Sequence, residues 1–213
     1  MTAITTAPAY AATTKPYTTP GQYTFTVPSG VPEIKVVLTG AGGGGDTSNS
    51  TAPGAPAFGG GGGGGGATST CTLPVRPGDT LTITVGTGGA GGTGGVGGRD
   101  SRDGGNSTIS YPNAGGASAE GGHRARPHDA YSEGGAGGYA QTWCAGIDPS
   151  LHFGQKGANG NPTGTREGGI PGMPGSGVHS ACPLGTGVGG YGGNGPERKP
   201  GLPGQSGCVI LTY

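Results

Sequence analysis

Long apolar runs are missing from this chain, and charge and aromatic surface are scarce. Of 213 residues, 30% are hydrophobic, 10% charged and 6% aromatic, with a single tryptophan. No stretch approaches the roughly 18 apolar residues of a membrane-spanning helix, so membrane insertion is not expected. A core of ordinary amphipathic helices cannot be assembled from so few apolar side chains. Eleven basic residues balance eleven acidic ones, for a formal net charge of zero. That balance removes the long-range attraction that draws proteins to nucleic acid or anionic lipid, and it is a poor fit to charge-driven disorder. The opening MTAITTAPAYAATTKPYTTPG has no basic start followed by an apolar run, so the expected place of synthesis is a cytoplasm. Cys71, Cys144, Cys182 and Cys208 are widely spaced, without a C-x-x-C pair. Four cysteines allow three pairings, and the sequence leaves both the pairing and the choice between thiol and disulfide open.

What the chain has instead is glycine at 56 positions and proline at 19. The glycines keep phase. Gly88, Gly91, Gly94 and Gly97 stand three apart, as do Gly89, Gly92, Gly95 and Gly98. The G-G-x pattern returns at 134–138 and 189–195, and single-glycine triplets occur at Gly154, Gly157, Gly160, at Gly169, Gly172, Gly175 and at Gly201, Gly204, Gly207. Three residues per turn is the repeat of the extended left-handed polyproline II helix, which rises about 3.1 Å per residue. With glycine on its edges such a helix can approach its neighbours until backbone groups bond directly, and proline fits the same backbone. A collagen triple helix is excluded because the register breaks after three triplets in GIPGMPGSG. A flexible linker is the competing reading; repetition of the phase in separated places favours ordered packing.

Glycine loses more freedom on folding than any other residue, about 1–2 kcal/mol of backbone entropy each. Hydrogen bonds worth about 1 kcal/mol net cannot offset this alone, so such a bundle needs an anchor. Strand patterns supply one: alternation or β-branched runs near 22–27, 33–39, 79–85 and 107–111, and the apolar closing hexamer CVILTY at 208–213. No segment reads as an α-helix. The expected fold is mostly β and irregular: a small antiparallel β-sandwich anchoring a bundle of packed polyglycine II helices.

Motifs that suggest chemistry fail on context. Gly40 to Gly45 matches G-x-G-x-x-G, and Asp46 stands where a phosphate loop needs lysine; SNSTAPGAPAFGG after it cannot open a helix to cradle phosphate. His179 and Cys182, with Cys144 and His152, have only loosely metal-like spacing. No serine sits in a nucleophile elbow, and repeated RGG is absent. No enzyme activity and no cofactor are expected. Side-chain chemistry must lie in the segments that interrupt the glycines. These are His123, Arg124, Arg126, His128 and Tyr131; Tyr139, Trp143, His152 and Phe153; a shorter segment, 178–184; and the charged tip with Arg198 and Lys199. Aromatic and arginine-bearing loops on a stiff scaffold are the usual makings of a recognition surface; packing as a satellite core or a subunit contact is the plainer reading of the aromatic group.

PGQYTFTVPSGVPEIKVVLTGAGGGG, the run Gly59 to Gly66, RPGDTLTITVGTGGAGG and the closing GCVILTY together resemble the glycine-rich domain of bacteriophage tail-fibre and minor tail proteins, over Tyr17 to Tyr213. Tail-tip adhesins of T-even-like phages look similar in architecture. The resemblance implies a virion tail component made in the host cytoplasm, with other tail proteins and a host-surface glycan or protein as partners. It also implies a homotrimer, and residues 1–16 as an arm docking onto another virion protein. The expected role is to bind the host surface or to cap the tail tip; the remaining alternatives are a purely structural head or tail decoration protein and an ice-binding polyglycine protein, and for the latter the spacers are too uneven.

Overall fold

The computed structural model describes residues 12–48, 57–93, 100–111, 115–127, 132–138, 146–161, 165–195, 197 and 199–213. Among these residues eleven strands are present: β1 (Thr14–Tyr17), β2 (Gly21–Thr26), β3 (Glu33–Thr39), β4 (Thr68–Pro74), β5 (Thr80–Val85), β6 (Ser107–Tyr111), β7 (Gly115–Ala119), β8 (Arg126–Pro127), β9 (Ser132–Glu133), β10 (Ile147–His152) and β11 (Cys208–Thr212). Among the described residues there is no helix. The five strands expected from the sequence are all found, as β2, β3, β5, β6 and β11.

The larger strands form two antiparallel sheets, ordered β1-β11-β3-β4-β10 and β2-β5-β6-β7. Alternation decides which side chains meet between them. Ile34, Val36 and Leu38 of β3, Leu81, Ile83 and Val85 of β5, Ile109 of β6, and Val209 and Leu211 of β11 share one buried cluster. The closing strand is apolar at successive positions because both of its faces are covered. Val209 and Leu211 face the sandwich interior, while Cys208 and Ile210 pack with Val37 and Cys182 on the other side. β1 pairs with β11 from Thr14↔Thr212 to Tyr17↔Val209, and Thr13 and Tyr213 exchange backbone bonds. Thr14 to Pro16, expected in the arm, therefore belong to the sheet; residues 1–11 lie outside the described residues.

The glycine segments run back and forth from one end of this sandwich. Ten passes can be followed among the described residues: 40–48, 57–67, 86–93, 100–106, 120–126, 133–138, 153–161, 165–176, 186–195 and 199–207. Their bonds rotate among neighbours with a period of three. In the first pass Gly40, Gly43 and Asp46 donate to Ala67, Gly64 and Gly61 of the second; Ala41 and Gly44 donate to Gly105 and Arg102 of the fourth; Gly42 and Gly45 donate to Gln205 and Leu202 of the tenth. Its carbonyls accept from the third (Gly89, Gly92), fifth (Gly122, Ala125) and ninth (Gly190, Gly193) passes. Six neighbours thus surround it. The second pass is enclosed in the same way by the first, fifth, sixth, seventh, eighth and ninth.

The other eight passes form a ring in chain order, each bonded to the next, and Gly201→Gly92 and Gly204→Gly89 close it from tenth to third. Two six-neighbour centres inside eight surrounding chains define three layers: 4–5–6 on one face, 3–1–2–7 in the middle, 8–9–10 on the other. Glycine content follows position. The second pass is glycine throughout 59–66 because every direction from it meets another backbone: a Cβ on Gly62, Gly63 or Gly64 would fall closer than 3.0 Å to the carbonyl of Ile170, Gly43 or Ala136 respectively. Outer passes keep spacers, and spacers such as Ala90, Ala136, Lys156 and Tyr191 are exposed.

Bundle and sandwich join through Ser107, fully buried, whose hydroxyl donates to Thr39 O at 2.7 Å and accepts from Gly86 N at 3.2 Å. Ser107→Ala takes the partner from the Gly86 amide and one of the bonds from Thr39 O, and a loss of about 1–3 kcal/mol is expected in urea unfolding. An unchanged midpoint would show that the junction is held elsewhere.

Candidate functional site

Odd-numbered passes lead away from the sandwich and even-numbered passes return. The described ends of the odd passes and starts of the next even ones therefore gather at the far end. The parts of this tip within the described residues are held by short-range polar links. Between the third and fourth passes, Asp100 accepts from Thr93 N at 2.9 Å and from the Thr93 hydroxyl. The Thr93 hydroxyl bond, then its amide bond, holds the Asp100 carboxyl below the usual carboxylate range. Between fifth and sixth, β8 pairs with β9, with Arg126 opposite Glu133. Between ninth and tenth, Lys199 forms an ion pair with Glu197, while its carbonyl accepts from Ser48 N and Ser48 Oγ, both at 3.2 Å. Arg166 turns the chain between seventh and eighth with φ 51°.

Arg126 and Lys199 thus stand at the tip, on two different turns, and both are exposed. His123 and Arg124 lie midway along the fifth pass, level with Gly43 and Gly44. His123 is flanked by two carboxylates, Nδ1 3.7 Å from Asp103 Oδ2 and Nε2 3.7 Å from Glu120 Oε1. Arg124 Nη1 donates to Ser101 O at 3.1 Å, and Arg124 N to Asp103 Oδ1 at 2.8 Å. His152 and Phe153 fall at the opposite end, where β10 leads into the seventh pass: His152 pairs in register with Thr68, its Nε2 lies 3.1 Å from Ser150 Oγ, and Phe153 is exposed. The described candidates are spread over the far end, the middle of the fifth pass and the sandwich end instead of forming one surface. His128, Tyr131, Tyr139, Trp143 and Arg198 lie outside the described residues. The parity of the passes was the available signal for this spread.

Two other sequence motifs find their place. Gly40 to Gly45 is the first half of the central pass and Asp46 is buried in it, with Thr47 N donating to Asp46 Oδ1 at 2.9 Å. No helix begins there. Cys182 and Cys208 form a disulfide, Cα–Cα 6.0 Å, and Cys71 is disulfide-bonded as well. Cys182 is therefore not a thiolate ligand, and His179 Nδ1 accepts from Ala181 N at 3.0 Å. The disulfide pins the turn between the eighth and ninth passes across the outer face of β3 and β11, covering Val37 and Ile210. Beside it lies a cleft of about 500 Å³ lined by Lys35, Thr70, Thr212 and His179 among others.

A β-sandwich at one end and a slab of glycine-lined passes tied at the far end by polar links define a glycine-built scaffold. The family model for the glycine-rich domain matches residues 18–213, and the chain belongs to that family. No curated protein matched the chain.

Proposed function

We propose that this protein is a non-enzymatic component of a bacteriophage tail whose far-end turns bind a glycan or protein on the host surface. The observation that carries the reading is the strict alternation of passes, which collects the turns of a stiff bundle at the end remote from the sandwich. Recognition surfaces need loops held by a rigid frame. We read the passes as polyglycine II helices, since partners recur every third residue as that backbone requires; at about 3.1 Å per residue the first pass holds its turn some 25 Å beyond the sheets. Disulfides at Cys182–Cys208 and at Cys71 suit a protein that works outside a reducing cytoplasm, as an assembled virion part does. The opening and closing strand motifs resemble those of tail proteins, which supports the assignment to a tail.

The test is competition. Purified protein added to the host strain should block adsorption of the intact particle. Arg126→Ala, at an exposed tip position, should weaken the block about tenfold or more, as loss of a recognition arginine does. Phe153→Ala, at the other end, should leave it intact. Absence of any block would reject receptor binding in favour of a structural virion role.

A further inference from the structure

The two flat faces of the slab differ in chemistry. The 4–5–6 face carries Arg102, Asp103, Glu120, His123 and Arg124. On the 8–9–10 face the bonds Gly192→Gly169 and Leu202→Tyr191 bring Ile170, Tyr191 and Leu202 to one level, on three adjacent passes. All three point outward, with exposures of 64%, 53% and 52%. One level nearer the sandwich, Gly189→Gly172 and Gln205→Val188 align Met173 (52% exposed), Val188 and Gln205. Two successive rows across this face therefore hold no charge, while the opposite face carries charged residues on its fourth and fifth passes. Single exposed apolar residues are ordinary, but a contiguous apolar patch on a flat face marks an interaction surface.

The row nearer the tip identifies the occupant. Gly195→Arg166 and Lys199→Asn194 set Glu167, Asn194 and Lys199 level, so opposite charges stand at the two edges. We propose that this face pairs with the same face of a second copy of this chain, about a twofold axis running parallel to the passes along the ninth. That operation lays the eighth pass over the second copy's tenth. Ile170 then meets Leu202 of the other copy, Tyr191 meets its own counterpart, and Glu167 meets Lys199 twice. Lys199 also reaches Glu197 of its own chain, but its side chain keeps 62% exposure. A twofold axis across the passes would instead set Glu167 over Met173, burying a charge on apolar surface at a cost. The parallel pairing is isologous and self-complementary, and it leaves both tips pointing the same way. The trimer implied by the family resemblance would need two different patches in contact, whereas this face complements itself. The inference does not depend on the tail assignment.

Sedimentation of the full chain tests it. A concentration-dependent monomer–dimer equilibrium is expected. Tyr191→Glu, a change at an outward spacer that leaves the bundle's backbone contacts untouched, should weaken dimerisation at least about tenfold. Glu167→Lys alone should weaken it, and Glu167→Lys combined with Lys199→Glu should restore it. Tyr191→Cys should cross-link into a covalent dimer under mild oxidation, while Ala136→Cys on the opposite face should not. A monomer at every concentration, a trimer, or a dimer indifferent to Tyr191→Glu would overturn the proposal. None of these outcomes touches the adsorption competition.

Discussion

Gly63→Ala is expected to abolish cooperative folding, although it adds one methyl group. Gly63 sits midway along the second pass, which has six bonded neighbours. A Cβ there would fall closer than 3.0 Å to the carbonyl carbon and oxygen of Gly43. In most cores such an intrusion costs about 1–3 kcal/mol because side chains repack. Here the obstruction is peptide backbone, and the first pass cannot retreat without breaking its own bonds to the fourth, fifth and tenth. The penalty should exceed about 4 kcal/mol, in the range reserved for severe core lesions, against a typical total stability of about 5–15 kcal/mol. Soluble yield and a thermal transition read the result. Ala158→Val, at an exposed spacer of the seventh pass, is the control and should stay within about 0.5 kcal/mol of the parent. Equal behaviour of the two variants would mean that the central pass is not enclosed.

The same contrast shows how much of the architecture the sequence carries. A position with backbone on every side admits only glycine, as along Gly59 to Gly66; triplets with one or two spacers serve on the rim, with Ala41, buried where the first pass leaves the sandwich, as an exception. The threefold phase is plain in the sequence. Which segments are central follows from the missing spacers, a step beyond recognising the period. Strands with β-branched alternation, such as Leu81, Ile83 and Val85 in β5, are equally plain. β7 is not: its GGASA carries no large side chain, and Ala117 and Ala119 enter the core because the space left by neighbouring strands is shallow. β10 is concealed by Pro149, which suits its place at the edge of a sheet, and by a register shift between Ile147 and Ser150. β4 follows the glycine run as a threonine-rich segment whose inward residues include Ser69, Cys71 and Leu73. Cation and aromatic clusters were legible as side-chain-bearing interruptions. Their spread along the bundle was not, since composition says nothing about the direction in which a pass runs. His123 and His152 look alike in the sequence, yet one lies midway along the fifth pass and the other in β10, where the seventh pass begins.

Removing the Cys182–Cys208 link is expected to produce the second large effect, and one felt most in a single layer. The bond joins residues 26 apart, and the segment it encloses holds the whole ninth and tenth passes. Closing a loop of that length in the unfolded chain is worth about 3 kcal/mol. The double variant Cys182→Ala, Cys208→Ala avoids placing a hydroxyl beside Val37 and Ile210, so the loss should reflect the missing bond and a small cavity. At roughly 2–4 °C per kcal/mol for a chain of this size, the midpoint should fall by about 6–12 °C. Disulfide loss should also act locally. The ninth and tenth passes have no covering layer on one side, and their turn at the sandwich end is held by this link. Amide exchange should therefore quicken across 186–207 more than across 40–48, which lies at the centre with six neighbours. A midpoint unchanged within about 2 °C, well below the shift expected from loop closure, would show that the outer layer is held by its backbone bonds alone, and exchange that rises equally in both segments would show that the link stabilises the whole bundle instead of one layer.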